Sequence, residues 1–595
     1  MNLAASLRPY YASPVAAFVS IPDTKTRYAG DEGLRSATLG RIYHDPTPDQ
    51  QTGPVKAAVM HHDSSDIRWL VKKTDARGRN YGVFPIAVPQ EMQPKMILLE
   101  IPDQTEWPTE LWVTLDAADS AHMAGGRTTQ LGIIRYLERA LSAWSLRMDD
   151  FDHYFPRLPY GTIIELQKMH VDPAECTIAV VEGSEWTNGN TATELQSIWE
   201  MGDGVLPPIV SIEDLQVIKQ FTNVVTLVTQ ISNPSQRLVF KSGFSDVGIY
   251  HELKVLLNMP PHQYIEEKPQ FLVTLGGESA AKDNVCGFLL KYYEHGSIED
   301  RLAPWNTTNL LWWETPLRWS QQICDSLLHI LDQGLFCSDL RMDNILLDRS
   351  GEEEHCVLID LAMDRNIFAW SPPEMLSIEW VAEVVSSKML SAEQKQEYVR
   401  VLGDFASNRH VDMEARKKPS VYENAPVGWW FPWTWSTPKE REAGMVYLLG
   451  KALWCLFEGE PLIGNILGRS LDGETVLEFP DFVRTPPAVQ GLIREMTAGS
   501  REWSGRRLGL FRRAGILYPR GKTGLNGEPE ATLEDTKQAI SEVWRFELNH
   551  AKEVLIARTR HDQGAECEES SELLGFLSRP SLRTVFEKLR DMHLG

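Results

Sequence analysis

The feature that most constrains this 595-residue chain is a short polar loop followed by an apolar run that ends in a carboxylate. The loop is Asp339-Leu-Arg-Met-Asp-Asn344, and the apolar run is Val357-Leu-Ile, directly before Asp360. Asp339 and Asn344 are five positions apart. On a tight loop, this spacing lets a carboxylate meet a substrate hydroxyl while the amide turns toward a metal-bound phosphate. With Asp360 held at the end of a buried strand as a ligand for Mg²⁺, the pattern predicts a phosphoryl-transfer site.

Length and charge limit the possible classes of protein. A prior of about 150 residues per domain predicts three or four compact units. The net charge of −23 and the absence of a basic patch argue against a nucleic-acid-binding protein. No stretch approaches about 20 consecutive apolar residues, and the N-terminus lacks a signal-peptide pattern, so we expect neither a membrane segment nor secretion. Seven scattered cysteines without a C-x-x-C pair indicate free thiols in an intracellular compartment, cytoplasmic or nuclear.

Residues 1–205 are predicted to form an α+β accessory domain of unknown role. Alternating apolar residues predict strands at Ile67–Val71 and Glu110–Leu115. Apolar residues from Leu131 to Trp144 recur at helical spacing and predict a helix. We find no group of residues here that suggests chemistry.

Residues 206–303 are predicted to form a small β-rich lobe with one helix. The helix is predicted at His251–Leu257, between the second and third of four strands, at Val224–Ile231, Arg237–Lys241, Gln270–Leu275 and Val285–Tyr293. A sheet with one interposed helix suits a lobe that covers a nucleotide. After Gly296 the pattern becomes helical, and an apolar face from Trp319 to Leu331 predicts a helix that leads into the Asp339 loop.

At these motifs the chain resembles the eukaryotic protein kinase superfamily, and within it the divergent kinase-like proteins of filamentous fungi. The resemblance covers about residues 206–595 and implies a bilobal α+β fold, with the helical lobe at 304–595. The motifs follow one another in the family's order. They are Lys241, the Asp339 loop, Asp360-Leu-Ala362, Trp370-Ser-Pro-Pro-Glu374, a buried central helix at Val446–Glu458, and Arg579-Pro-Ser.

The resemblance implies that ATP and Mg²⁺ are the cofactors. Lys241 matches the third-strand lysine that pairs with the α- and β-phosphates, and Glu252 is its candidate partner on the following helix. Asn344 and Asp360 match the metal ligands. Together these side chains would position the nucleotide.

The resemblance also assigns the catalytic loop and a structural ion pair. Asp339 matches the catalytic base, and Arg341 would add positive charge near the transferring phosphoryl group. An arginine in that loop can instead simply pair with a surface carboxylate. Glu374 and Arg579 match residues that form a buried ion pair in the family.

Four departures from the family pattern concern the nucleotide and the catalytic loop. The segment Lys219–Leu227 contains no glycine, so close approach of backbone N–H groups to phosphates is in doubt and we expect weak nucleotide affinity. Cys337-Ser338 replaces the usual histidine-containing pair before the catalytic aspartate, and Ala362 replaces a glycine. Met445 stands where the family's central helix starts with an aspartate that caps the catalytic loop, which predicts a less rigid loop.

Two insertions interrupt the large lobe, at about 375–440 and 501–570. The first contains the aromatic run Gly428–Trp435, which either fills the core of the insertion, the favoured interpretation, or docks a partner. The second contains a helical pattern from Ile540 to Leu555. Between Asp360 and Glu374 the only hydroxyl side chain is Ser371, so we expect no activation by loop phosphorylation; regulation would come from the accessory domain or a partner.

Three functions compete at this point. The leading hypothesis is a protein kinase for Ser or Thr, rather than Tyr, acting on a protein substrate. The second is a pseudokinase, an interaction module or scaffold with a protein partner, favoured by the missing glycine loop. A small-molecule phosphotransferase is the third and least favoured function. The elements that contain Glu374 and Arg579 speak against it, because they serve a peptide-binding lobe. Partners that are nucleic acid or membrane are not expected, and the sequence does not define the oligomeric state.

Overall fold

The computed structural model of this protein has a mixed α+β fold. It describes residues 14–18, 68–74, 80–85, 97–102, 106–108, 111, 133–158, 162–181 and 189–592, the last range with gaps at 203–204, 223, 244–247, 277–282, 303–312, 351–352, 364–365, 367–368, 388–389, 417–421, 464–477, 505–509, 514–515, 521–532 and 566–571. Within these ranges, every helix is too short or too polar to cross a membrane.

The first sheet has five strands, in the order β1-β2-β3-β4-β5, and all neighbours are antiparallel except β3 and β4. The strands are β1 Trp69–Thr74, β2 Asn80–Pro85, β3 Ile97–Glu100, β4 Ile163–Lys168 and β5 Thr177–Val181. Two helices follow β3, α1 Ile133–Ser145 and α2 Phe151–Arg157. The α+β character predicted for the N-terminal region is therefore confirmed.

Trp69 lies at the centre of this N-terminal core. Its indole N–H donates to Ser145 Oγ at 3.2 Å, and its ring meets that of Phe155 edge-on at 4.7 Å. A buried tryptophan with a partner for its N–H fixes the sheet against the helices. The strand predicted at Glu110–Leu115 is wrong at Leu111, its one described residue, which is helical and fully buried.

The second sheet has six strands, in the order β6-β10-β11-β9-β8-β7. They are β6 Ile209–Ser211, β7 Leu215–Gln220, β8 Val225–Gln230, β9 Asn233–Ser242, β10 Phe271–Thr274 and β11 Val285–Lys291. The interposed helix α4 spans Gly248–Asn258 and contains the helix predicted at His251–Leu257. Every residue of β11 from Val285 to Leu290 is buried, as expected of an inner strand.

A short helix, α3 Ala192–Ile198, precedes this sheet and belongs to its core. Leu195 and Trp199 are buried in the same apolar cluster as α4. Thr191 also forms a bridge to Asn284, beside β11. These contacts lie before the predicted domain boundary at 205, so the chain joins the second sheet upstream of that position.

The rest of the chain is mainly helical. Its helices are α5 Glu314–Asp332, α6 Pro373–Ser386, α7 Ala392–Asn408, α8 Phe431–Thr434, α9 Pro438–Glu458, α10 Pro487–Met496, α11 Leu533–Asp562 and α12 Leu582–Arg590. Two hairpins lie among them, β12 Ile345–Ser350 with β13 Glu353–Leu358, and β14 Leu510–Arg513 with β15 Ile516–Pro519. The predicted helices at 319–331 and 540–555 are confirmed as parts of α5 and α11.

Helix α9 is the central element of this region, and each of its residues from Ala443 to Glu458 is buried. It begins at Pro438, earlier than the start expected at Met445. Thr437 Oγ1 accepts from the Glu440 N–H, and the Glu440 carboxylate accepts from the Thr437 N–H. This capping box, with proline at the first helical position, satisfies backbone donors at the helix start.

The buried aromatic residues of the run at 428–435 pack into two apolar clusters: Trp433 into the one that contains α5 and α9, and Phe431 and Trp435 into the one that contains α11. Trp433 is 1% exposed, and its ring stacks on Phe336 with centroids 5.2 Å apart. Phe431 and Trp435 are also buried. The interpretation of this run as core is thus confirmed for these three aromatic residues.

Candidate active site

The central feature of the candidate site is a lysine shared between two carboxylates. Lys241 lies on β9, and its Nζ is 2.6 Å from Glu252 Oε1 and 2.8 Å from Asp360 Oδ1. Burial alone would lower the pKa of Lys241, but the charges of Asp360 and Glu252 outweigh it and raise the pKa, so the ammonium stays charged. The predicted pairing of Lys241 with Glu252 is confirmed.

The two carboxylates have different environments. Glu252 lies inside α4 with 1% of its side chain exposed, and burial raises its pKa to about 7 although Lys241 opposes this. The side chain of Asp360 is 32% exposed. Burial also disfavours its charged form, but Lys241 holds the pKa of Asp360 below its usual value. Asp360 therefore remains an anion, as a metal ligand must.

The backbone at Asp360 is left-handed, with φ +61°. This conformation is uncommon for residues other than glycine, and such positions concentrate at functional sites. Asp360 is the second residue after the end of β13 at Leu358, and its carboxylate contacts Lys241.

The polar loop brings Asp339, Arg341 and Asn344 together. Arg341 Nε donates to Asp339 Oδ1 at 2.9 Å, and Asn344 Nδ2 donates to Asp339 Oδ2 at 3.2 Å and to the Asp339 carbonyl at 2.9 Å. Arg341 also lies 3.2 Å from Asp343 Oδ2. Its guanidinium thus pairs with carboxylates of its own loop, and its predicted role at a phosphoryl group stays a prediction.

Burial raises the pKa of Asp339 to about 6, with the charge of Asp360 adding to this effect and Arg341 opposing it. The side chain is 14% exposed. A carboxylate with a pKa near 6 is ionised at neutral pH yet more basic than an ordinary aspartate, which suits a general base.

A methionine sulfur supports the start of this loop. The Cys337 N–H donates to Met445 Sδ at 3.3 Å, and Asn366 Nδ2 donates to the Ser338 carbonyl at 3.1 Å. Met445 occupies the position at which the resemblance expects a capping aspartate. A thioether is a weak acceptor, so it holds the loop less firmly than a carboxylate would.

One hairpin joins the loop to Asp360. Asn344 precedes β12 and Asp360 follows β13, with Ile345 paired to Leu358 and the Ile359 N–H donating to the Asn344 carbonyl at 3.0 Å. The Lys241 group and the Asp339 group therefore lie at the same end of this hairpin. All six residues predicted for the site come together in these two groups.

Asn344 and Asp360 offer the oxygen ligands that Mg²⁺ prefers. Because the Asn344 amide nitrogen donates to Asp339, the amide oxygen is the atom with which it would bind a metal. Magnesium sites in phosphoryl-transfer enzymes use one or two protein ligands and complete the shell with water and substrate phosphates. In the part of the chain that the structure describes, no cluster of three or more His, Cys, Asp or Glu side chains suits a metal ion. The donor set fits Mg²⁺ bound together with a nucleotide.

The turn between β7 and β8, which matches the position of the family's glycine-rich loop, is short. Strand β7 ends at Gln220 and β8 begins at Val225, and the N–H groups of Phe221 and Thr222 both donate to the Val225 carbonyl, at 2.9 and 3.1 Å. Phe221 is 43% exposed and stacks on Tyr292, just after β11, with centroids 6.4 Å apart. An aromatic pair thus lies at this edge, where a longer glycine loop would be needed to wrap phosphates.

Sequence reasoning missed one carboxyl group near Lys241. Burial raises the pKa of Glu266 to about 8, with Lys241 opposing this and Glu252 adding to it. The Glu266 backbone is fixed by its N–H, which donates to the Leu358 carbonyl at 3.0 Å. In the sequence it is one of two adjacent glutamates in a polar loop, a pattern that predicts only a solvated surface.

A charge cluster in the helical region was also not predicted from the sequence. Glu440 pairs with Arg409 and, at 2.9 Å, with Arg558 Nε. Burial would raise the pKa of Glu440, but the two arginines hold it well below its usual value. Arg558 also donates to the Glu374 carbonyl at 2.9 Å. This cluster ties both insertions to α6 and α9.

The predicted ion pair between Glu374 and Arg579 is confirmed. Arg579 Nη1 lies 2.6 Å from Glu374 Oε1 and Nη2 lies 3.1 Å from Oε2, with 0% and 1% of the two side chains exposed. The fork geometry is the strong form of an arginine–carboxylate interaction.

No protein-family model and no curated protein matches this sequence.

Proposed function

We propose that this chain is an ATP- and Mg²⁺-dependent protein kinase that phosphorylates Ser or Thr hydroxyls of a protein substrate. The observation that carries the proposal is the contact of Lys241 with both Glu252 and Asp360, beside a loop that presents Asp339 and Asn344. A scaffold has no chemical need for all of these groups in one place. The proposal includes a kinase-like bilobal arrangement, in which residues 206–303, with α3 packed against them, form the small lobe and residues 304–595 the large lobe.

Each side chain has a role in this account. Lys241, held by Glu252, binds the α- and β-phosphates as a fixed positive charge. Asp339 accepts the proton of the substrate hydroxyl while the hydroxyl oxygen forms its bond to the γ-phosphorus and the bond to the ADP oxygen breaks. Arg341 keeps Asp339 oriented through the 2.9 Å hydrogen bond and lowers its pKa. Asp360 and Asn344 would hold Mg²⁺, which would neutralise negative charge on the phosphates.

The pKa of Asp339 predicts an acid limb in the rate of transfer. Below about pH 6 the carboxyl group is protonated and cannot accept a proton, so kcat/KM should fall about tenfold per pH unit there and reach a plateau above pH 7. Arg341→Gln removes the charge that lowers this pKa, so the limb should move to higher pH by about one unit or more. The measurement is a pH–rate profile of label transfer from Mg·ATP.

Arg400→Gln is the matched control, because Arg400 is 62% exposed and pairs with Asp404, four residues further along its helix, at 3.3 Å. Its profile should equal that of the wild type. An Arg341→Gln limb that stays in place would show that Asp339 is not the group that titrates.

Asp360→Asn should remove the dependence of nucleotide binding on Mg²⁺. In EDTA the variant and the wild type should bind ATP equally, because Lys241 keeps its partner Glu252. With Mg²⁺ the wild type should gain about tenfold in affinity, or about 1.4 kcal/mol, and the variant little. Isothermal titration of ATP with and without Mg²⁺ measures both values.

Asp348→Asn is the control for this experiment. Asp348 also accepts from a lysine, Lys291, at 2.8 Å and is 28% exposed, but it lies on β12 away from the Lys241 contact. It should retain the full effect of Mg²⁺. A comparable gain for Asp360→Asn would contradict the assignment of Asp360 as the metal ligand.

A pseudokinase is the second candidate, and the short turn between β7 and β8 is the observation that favours it. In the described part of this turn, the N–H groups of Phe221 and Thr222 donate to the Val225 carbonyl and that of Val224 donates to Thr222 Oγ1, so these donors are already used within the turn and are not offered to a triphosphate. In this case the chain would bind a protein partner and transfer no phosphate. Transfer of labelled γ-phosphate to protein distinguishes the two candidates.

We also propose an intracellular location, in the cytoplasm or nucleus, where ATP and Mg²⁺ are available. Six cysteines in the described part of the chain are free thiols and all are buried. Buried free cysteines are consistent with a reducing compartment.

A further inference from the structure

One segment of the first insertion, residues 422–430, lies against the helix that carries Glu252. Lys254 Nζ donates to Asn424 Oδ1 at 2.6 Å. The ring of Trp429 lies 5.3 Å from that of His251, and the ring of Tyr422 lies 5.3 Å from that of Tyr250. The three contacts are within one turn of Glu252 on either side. We call residues 422–430 the clamp segment.

The clamp segment also binds the chain that precedes the second sheet. The Trp199 indole N–H donates to the Tyr422 hydroxyl at 2.7 Å, and Asn424 Nδ2 donates to the Ile198 carbonyl at 2.8 Å. Tyr422 is 6% exposed. The segment is therefore fixed between α3 and α4, with both sides of the Asn424 amide in hydrogen bonds.

The clamp segment reaches the backbone near Asp360 as well. Gly428 has φ +85°, and a Cβ there would lie 3.3 Å from His251 Nε2 and 3.5 Å from Met363 Cβ. Only glycine adopts this conformation readily at such close range. Gly428 thus lies between α4, which carries Glu252, and the residues that follow Asp360.

We propose that Tyr422 and Asn424 are positioning residues, which hold α4 so that Glu252 stays on Lys241. The inference rests on the proposed binding of Mg·ATP by Lys241. The stretch between Asp360 and Glu374 contains only one hydroxyl residue, Ser371. The proposal explains how the site would be ordered without phosphorylation of that stretch. In this proposal the contacts of the clamp segment order the site instead of a phosphate.

The test compares binding of Mg·ATP by the full chain and its variants. Tyr422→Ala removes the ring contacts and the acceptor for Trp199, and we expect about tenfold weaker binding. Asn424→Ala removes two hydrogen bonds at a surface-exposed side chain, so it leaves the core intact, and it should weaken binding in the same direction by a smaller factor. Tyr422→Phe keeps the ring and should recover most of the affinity.

Asn408→Ala is the matched control. The Asn408 amide also makes two hydrogen bonds, to Asp562 at 3.2 Å and from Gln563 at 3.4 Å, but these join the end of α7 to the last residue of α11 and the residue after it. Its affinity for Mg·ATP should equal that of the wild type.

A double-mutant cycle separates positioning from a general loss of stability. If Tyr422 acts through Glu252, then Tyr422→Ala should weaken binding much less in a Glu252→Gln background than in the wild type. Additive losses would overturn the inference. So would a Tyr422→Ala or Asn424→Ala chain that binds as tightly as the wild type. A wild-type chain that does not bind Mg·ATP would instead overturn the proposed function and this inference with it.

Discussion

Replacement of Asp339 by Asn should slow phosphoryl transfer by about 10²- to 10⁴-fold, the usual contribution of a general base. An amide has no basic lone pair for the hydroxyl proton, although it can keep a hydrogen bond to Arg341. Binding of Mg·ATP should change little, because Lys241 and Asp360 are intact. Single-turnover transfer of labelled γ-phosphate gives the rate, and titration calorimetry gives the affinity.

Asp343→Asn is the control for this prediction. Asp343 lies on the same loop and also contacts Arg341, at 3.2 Å, but its side chain is 42% exposed. It should transfer phosphate at nearly the wild-type rate. Equal rates for Asp339→Asn and the wild type would contradict the role of Asp339 as base, whereas a loss of ATP binding would show that Asp339 supports the nucleotide site instead.

Arg579→Ala should destabilise the helical region by about 3–5 kcal/mol, because it leaves the buried Glu374 carboxylate without its partner. The guanidinium also donates to the Ala498 carbonyl at 2.9 Å and to the Ala443 carbonyl at 3.0 Å. These backbone acceptors would lose their donor in the same variant. Thermal unfolding followed by circular dichroism, with and without urea, should show the large fall in stability.

Arg583→Ala is the control, since Arg583 lies on α12 as the fourth residue after Arg579 and is 66% exposed. It should change stability by less than about 0.5 kcal/mol. Replacing Glu374 and Arg579 together by apolar residues of similar size should recover part of the lost stability. An unchanged melting temperature for Arg579→Ala would contradict the energetic importance of the pair.

Two groups of the candidate site, Lys241 and Asp360, could be predicted because each interrupts a local pattern. Lys241 is a charge inside an apolar strand, and Asp360 is a carboxylate directly after an apolar run. A buried charge requires a partner, so both positions indicate a site even in isolation. The partner Glu252 followed from the resemblance, and the structure places it 2.6 Å from Lys241.

Contacts between distant segments could not be predicted in the same way. Trp199 and Tyr422 are 223 positions apart, and Arg558 and Glu440 are 118 apart. No periodicity connects such pairs, because their proximity depends on how whole helices pack. The start of α9, in contrast, could have been predicted from the sequence, because Thr437-Pro-Lys-Glu440 carries a capping-box signal. The resemblance instead placed the start at Met445.

The most direct test of the account is transfer of labelled γ-phosphate from Mg·ATP by the full chain. The chain itself and basic peptides serve as acceptors, and Asp339→Asn is assayed in parallel. The wild type should place label on Ser or Thr of a protein acceptor, and the variant should place at least about 10²-fold less. A folded wild-type chain that binds Mg·ATP and transfers no label to any acceptor would contradict the kinase assignment and favour the pseudokinase.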